Sequence, residues 1–370
     1  MKKYAFNEIT TMQYISLING MTVSFGFIEI PADLHKKAGT GGLISLLLGT
    51  LITMAASLIV VQMMKRFPDG TILDMLTHRV GKWAGWLAAV LIAAYFLFYG
   101  YIGIVYSTRV IKARVLQETP AYITLFLLLI PTYVVARNGF RVLGRYAELS
   151  IWLSLWIPFV FLLVWRHTNW NYLFPLLERG WLPVLKAVPD TFFYFLGFFA
   201  TTLFYPFLQK KEKAAFAIVT ANVLTLLSYL FIIILSFIFF SPEEMKEVNQ
   251  PSIYMLKTIE LRFIEQVEGL FIVMYMLIFS MSWIPPFLLS SFCAAWLSGR
   301  ADHRPFLRVL LIGIAMFSCF YVPGFNTTYA MSDKLTKIGT VLEYALPVLL
   351  LLFFTLQARI ARRRSQRRRL

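Results

Sequence analysis

Two stretches of this chain combine glycine, hydroxyl side chains and a following proline inside otherwise apolar sequence. The first reads Ser16-Leu-Ile-Asn-Gly-Met-Thr-Val-Ser-Phe-Gly26 and reaches Pro31. The second reads Phe195-Leu-Gly197-Phe-Phe-Ala-Thr-Thr202 and reaches Pro206. A helix unwound at such a point exposes N–H groups that hold a carboxylate and C=O groups that hold an ammonium or cation. An amino acid needs both. Gly20, Thr22, Ser24 and Gly26 in the first stretch, and Phe195, Gly197, Phe198 and Thr201 in the second, are therefore candidate ligand-binding residues. The competing reading is packing, because glycine in a lipid-embedded helix lets neighbouring helices approach closely. Ser280 and Ser282, followed by Pro285 and Pro286, line a ligand pocket, coordinate a cation, or bond helix to helix beside a proline bend. Tyr99, from the run Tyr95, Tyr99 and Tyr101, either lines the pocket or packs as a ring.

Charge inside an apolar segment is expensive and points to function. Glu29 reads as an interfacial residue or part of an outer vestibule, and Glu343 as facing the bundle interior. Glu148 lies beside Arg141 and Arg145 and reads as one half of an ion pair. Asp190 suits the start of its helix, where the dipole favours a carboxylate. Glu265 and Glu268, near Arg262, share a helix face. Enzyme chemistry finds no constellation. His35, His78, His167 and His303 fall far apart in expected loops, Gly39-Thr-Gly-Gly42 lacks the Lys-Ser/Thr of a phosphate loop, and no metal spacing occurs. Cys293 and Cys319 form no disulfide framework. No catalytic activity, metal or cofactor is expected. The Asn326-Thr327-Thr328 sequon carries little weight.

The elements that must position these residues follow from composition. Of 370 residues, 59% are hydrophobic and only 15% charged, and the mean hydropathy is +0.69. A soluble domain has about 25% charged residues, so lipid is the natural solvent here. Ten apolar segments can be read, near 10–31, 41–64, 83–107, 121–136, 147–165, 187–207, 215–240, 268–297, 306–323 and 338–357. Runs this long predict membrane helices, since each span needs about 20 apolar residues. The N-terminal MKKYAFNEIT has no cleavage signal, so the first helix is expected to be retained.

With the N-terminus placed inside, the inner loops and tail hold 22 of the 35 Lys and Arg but 6 of the 19 Asp and Glu. The whole net charge of +16 then lies on one side, which predicts that both termini are cytoplasmic. The tail at 358–370 is a topological stop that attracts anionic lipids, or a docking tail for a cytoplasmic partner. Nucleic acid is not an expected ligand. Ten helices divide as five plus five, approximately 10–165 and 187–357, within one integral membrane domain spanning 1–370. An odd number per half inverts one half relative to the other, so the sequence predicts an all-α membrane protein of two inverted repeats with discontinuous helices one and six.

That arrangement resembles the amino acid–polyamine–organocation transporters and their LeuT-like fold. Several stretches are more narrowly similar to the B subunit of bacterial endospore germinant receptors, the spore germination permease family. They are Ile9, Gln13 and Ser16 leading to Gly26 and Pro31; Arg66-Phe-Pro68, Thr71-Ile-Leu-Asp-Met-Leu76 and Gly81-Lys-Trp-Ala-Gly85; Asn138-Gly139-Phe-Arg141-Val-Leu-Gly-Arg145-Tyr-Ala-Glu148; and Pro251 followed by Phe263-Ile-Glu265-Gln-Val-Glu268. Where that family often has Arg between the last two Glu residues, this chain has Gln266. The resemblance implies a nutrient sensor of the spore inner membrane. It would bind a small germinant, often an amino acid, and signal with an A-type membrane subunit and a C-type lipoprotein. The Phe, Leu and Thr around 195–202 suit an apolar amino acid, while sugars and nucleosides stay open. The alternative is a secondary amino acid permease, ion- or proton-coupled, using the same pocket; a membrane enzyme or scaffold is the third class.

Overall fold

A computed structural model describes residues 7–24, 26–259 and 267–367, with side chains to residue 357. Among them, every long element is a helix, and the one β-bridge joins Ile9 to Leu208. The first half comprises α1 (Thr11–Val23), α2 (Gly26–Ala38), α3 (Gly42–Met64), α4 (Ile72–Arg79), α5 (Lys82–Arg114), α6 (Ala121–Ala136), α7 (Gly139–Ser154) and α8 (Ile157–Leu162). The second comprises α9 (Trp181–Tyr194), α10 (Thr201–Phe204), α11 (Ala214–Phe239), α12 (Glu244–Glu247), α13 (Pro251–Leu256), α14 (Val267–Phe279), α15 (Ile284–Leu297), α16 (Arg304–Phe320), α17 (Phe325–Gly339) and α18 (Leu346–Arg367). Each of the ten apolar segments maps onto one of these helices or onto a bent succession of them.

Local chemistry sets the ends. Thr10 caps α1 with a capping box: its hydroxyl accepts from the Gln13 amide, and Gln13 reaches back to the Thr10 amide. Thr71 and Asp74 form the same device on α4. Gly39–Gly41 is a short 3-10 turn that opens α3. Outward faces are apolar: Phe320 is 87% and Val309 72% exposed, which suits hydrocarbon rather than water.

Four interruptions bear on the centre of the bundle. The first span breaks between Val23 and Gly26, where Ser24 leaves helical geometry. The sixth breaks after Tyr194 and resumes at Phe198, with a 47° bend between its halves. The eighth narrows to a 3-10 turn at Ser280–Ser282, so Pro285 and Pro286 sit in the opening turn of α15 rather than at a mid-helix bend. Proline is tolerated there because the first amides of a helix have no internal partner. The tenth widens to a π-turn at Thr340–Ala345. Pro347 supplies the reason: it has no N–H to offer the Glu343 carbonyl, so the helix takes a wider register.

Three expectations about charged residues change. Segment five begins at Gly139, so Glu148 lies mid-helix, and among the described residues it forms no ion pair with Arg141 or Arg145. Segment six begins at Trp181, so Asp190 lies near the end of α9, where Lys37 pairs with it at 2.5 Å. His35 and His78 lie in helices α2 and α4, not loops; His35 is buried, with Nε2 3.1 Å from the Pro242 carbonyl. The extra helix lies where charge or proline interrupts the apolar run: Arg141 and Arg145 early in α7, Pro183 and Lys186 early in α9, and His35, Lys36 and Lys37 at the end of α2. Glu265 and Arg262 lie outside the described residues.

Candidate functional site: two helix breaks closed by the chain's own side chains

The breaks of the first and sixth spans meet at the centre of the bundle. Tyr99, from the middle of α5, stands between them. Its hydroxyl is 2.9 Å from the Met21 carbonyl and 3.2 Å from the Leu196 carbonyl, one from each break. Tyr229 of α11 reaches across the other side, donating to the carbonyls of Thr22 at 2.6 Å and Tyr194 at 2.9 Å. Tyr275 of α14 donates to the Ser24 carbonyl at 2.6 Å. A buried carbonyl needs a donor, and three phenols supply them.

The amides of the sixth-span break are held by a carboxylate. Gly197 N–H lies 2.9 and 3.0 Å from the two oxygens of Glu343, and Phe199 N–H lies 3.1 Å from Oε2. Tyr95 donates to Oε1 at 2.6 Å. Glu343 is fully buried, and every partner is a donor, which is what an acceptor-only carboxylate requires. The π-turn aims it there. Gly197 has φ of +119°, a left-handed conformation that suits glycine and turns its amide toward that side chain.

The sequence-selected residues divide into two groups. Gly20, Thr22, Ser24, Gly26, Tyr99, Phe195, Gly197 and Phe198 come together at the crossing. Thr22 Oγ1 bonds Thr225 Oγ1 at 2.9 Å, and Asn19 donates to the same Thr225 at 3.0 Å. The Ser24 hydroxyl is buried without a partner among the described residues. Gly26 fits under the Tyr229 hydroxyl and the Tyr194 ring, and Gly20 against Met281. Phe195 packs edge-on to Tyr229 and Phe198 edge-on to Tyr344. Thr201, Ser280 and Ser282 point elsewhere. Thr201 bonds Tyr14 at 2.6 Å, Ser280 bonds Tyr146 at 2.6 Å, and Ser282 packs against Gly103 and bonds the Phe279 carbonyl.

Two cavities adjoin the crossing. One, of about 290 Å³, is lined by Asn19, Gly20, Ser150, Ser154, Tyr275 and Met281, with apolar walls from Phe27 and Phe231. The other, of about 360 Å³, lies at the far end of α2 and is lined by Glu29, Asp33, Lys36, Lys37, Asp190 and Asp333 among others. Glu29 is buried there, accepting from Tyr106 at 2.5 Å and Tyr329 at 2.8 Å, and Tyr194 donates to Asp33. Among the described residues, no Lys or Arg forms an ion pair with Glu29 or Glu343. At the opposite end the two spans are tied together: Ile9 bonds the backbone of Phe207 and Gln209, and Tyr14 bonds Thr201.

Sequence reasoning named Tyr95 without placing it in the site, and missed Tyr229 and Tyr275. Tyr95 and Tyr99 are four apart on one helix face, which is a readable signal. Tyr229 and Tyr275 stand singly in apolar runs, and nothing local marks what they bond.

The architecture matches known transporters. The structure of MhsT in complex with L-phenylalanine superposes with a TM-score of 0.65 at 14% identity, covering 93% of this chain and 88% of that one. Mhp1, a nucleobase-cation-symport-1 transporter in a closed conformation, gives 0.65 at 11% identity, covering 95% and 79%. The fold is therefore the LeuT-like one. Among curated relatives, Spore germination protein YndE of Bacillus subtilis (strain 168) is 23% identical over 353 residues, 93% of this chain and 96% of that protein. Spore germination protein A2 of the same organism is 24% identical over 359 residues, 95% and 97% respectively. Spore germination protein GerQB of Bacillus cereus is 24% identical over 261 residues, 70% and 72% respectively. The sequence model of the family described as Spore germination protein matches residues 8–327, and the chain, built on crossed helix breaks in a transporter fold, belongs to that family.

Proposed function

We propose that this protein is the membrane subunit of a spore nutrient germinant receptor, which binds a small germinant, an amino acid being the leading class, and starts germination without covalent chemistry. The observation that carries this reading is the crossing itself, in a chain of the spore germination family. Carbonyls from both breaks are held by Tyr99, Tyr229 and Tyr275, and the sixth-span amides of Gly197 and Phe199 by Glu343. Such a centre suits a two-state receptor. A ligand that favours the unlatched arrangement over the latched one shifts the population between them. The carboxylate-lined cavity around Glu29 and Asp33 is a route from one side of the bundle, and the apolar cavity beside Asn19 and Gly20 takes a side chain.

The partners in this reading are an A-type membrane subunit and a C-type lipoprotein, in the spore inner membrane. Both termini face the cytoplasm, as the excess of Lys and Arg on that side supports, and the basic tail lies against anionic lipid. The second reading, an ion- or proton-coupled amino acid permease, is supported by the shared fold with MhsT bound to L-phenylalanine.

Spores lacking the gene, germinated against a panel of amino acids, sugars and nucleosides, test the proposal. Loss of response to one nutrient class, with uptake by vegetative cells unchanged, is the expected result. Normal germination on every nutrient, with lost uptake of one amino acid, would replace the receptor by the permease.

A further inference from the structure

The amides of the sixth-span break form an anion cradle, and this chain brings its own anion to it. Glu343 makes contacts to Gly197, Phe199 and Tyr95 between 2.6 and 3.1 Å, all from donors. The side chain has no exposure. Its neighbours hold it in place. Tyr344 stacks on Phe192 at 4.5 Å between centroids and meets Phe198 edge-on at 5.2 Å, and its hydroxyl bonds Thr53 at 2.8 Å. Gly339 lets this helix lie directly on Leu196, where a Cβ would come within 2.6 Å of its methyl. The tenth span is thus clamped to the break on both sides of Glu343.

We propose that Glu343 is a built-in occupant of the carboxylate position at the sixth-span break, so that the break excludes a ligand carboxylate. Resting on the receptor reading above, the ligand class follows: at this level the germinant is recognised as a cation or a neutral molecule. If it is an amino acid, its carboxylate is held elsewhere. Occupancy enforces the exclusion: the amides of Gly197 and Phe199 and the Tyr95 hydroxyl already donate to Glu343, so a second carboxylate there would displace it or go without donors. The tenth span then acts as a positioning element, because its π-turn and the break cannot move independently while the carboxylate bridges them.

Formate is the probe, with formamide as its neutral counterpart, added to the purified full-length chain during thermal unfolding. Wild-type protein should show no formate-dependent shift, since its cradle is filled. Glu343→Ala should lower Tm by on the order of 5 °C, and formate, but not formamide, should restore most of that loss saturably. Glu343→Gln keeps the shape but presents an amide NH2 to the break amides. It should fold, lose part of the stability and ignore formate. A wild-type protein stabilised by formate, a Glu343→Ala protein as stable as wild type, or one that formate does not restore would each overturn the proposal. If Glu343→Ala cannot be purified, an unchanged Tm in Glu343→Gln overturns it and a lowered one supports it. None of these readouts depends on germination, so failure of the receptor reading in deletion spores stays distinguishable.

Discussion

Replacing Tyr99 by Phe removes one oxygen and leaves the ring in place. That oxygen stands 2.9 Å from the Met21 carbonyl and 3.2 Å from the Leu196 carbonyl, so it ties the two breaks together. Leaving buried acceptors without this donor costs about 1–3 kcal/mol, whereas the lost packing is negligible because Phe fills the same space. If the cost falls on the latched arrangement alone, the balance between latched and unlatched states moves by about 5–150-fold. The apparent affinity for a ligand of the unlatched state rises by up to the same factor. In spores that carry this receptor alone, the half-maximal germinant concentration should fall accordingly, and the purified protein should melt earlier. Tyr101→Phe is the control, since the Tyr101 hydroxyl lies two residues along α5 and has no hydrogen-bond partner among the described residues. An unchanged half-maximal concentration and melting point in Tyr99→Phe, or equal effects in both variants, would refute the latch.

Gly26→Leu drives its side chain into the Tyr229 hydroxyl and the Tyr194 ring, whose Cδ1 would stand 2.8 Å from the new Cβ; germinant response should vanish while membrane levels persist, and normal sensitivity would remove this glycine from the site. Gly197→Val forces a β-branched residue into φ of +119°, at a cost of about 1–2 kcal/mol, and brings its Cβ within 3.1 Å of Met21. It should lose response too, and the idea fails if response is retained. Burial holds the His303 imidazole below its ordinary value near 6.5, so the charged form is disfavoured in the fold. Its contribution is complete above pH 6.5 and is lost as pH falls from there toward the lowered value. Melting points recorded from pH 7.5 to 5.5 should decline in wild type and flatten in His303→Gln; equal slopes would dismiss the effect.

Much of this was legible in the chain. The two Gly-and-hydroxyl stretches located both breaks, because unwinding a lipid-embedded helix needs residues that tolerate odd backbone angles and side chains that serve the freed groups. The serines at 280 and 282 lay at an interruption as well, yet their hydroxyls turn to Tyr146 and to a carbonyl of their own helix. Facing is a property of helix rotation, which a single apolar run does not encode when its polar residues are few. Glu343 could be placed inside the bundle, but not on the amides of Gly197 and Phe199. Those residues are 146 and 144 positions away in sequence, and no local pattern joins them.

What the sequence determined by itself is therefore the solvent, the number of apolar segments, the charge asymmetry and the positions of the two main breaks. Each follows from composition over a window of about 20 residues, the scale on which lipid selects helices. What the tertiary structure alone decided is that the breaks are occupied. Tyr99, Tyr229 and Tyr275 come from three other helices to cap their carbonyls, and Glu343 comes from a fourth to hold the amides of the sixth-span break. The sequence could say that backbone groups would be freed; only packing could say which side chains, from far along the chain, had the reach and the angle to take them.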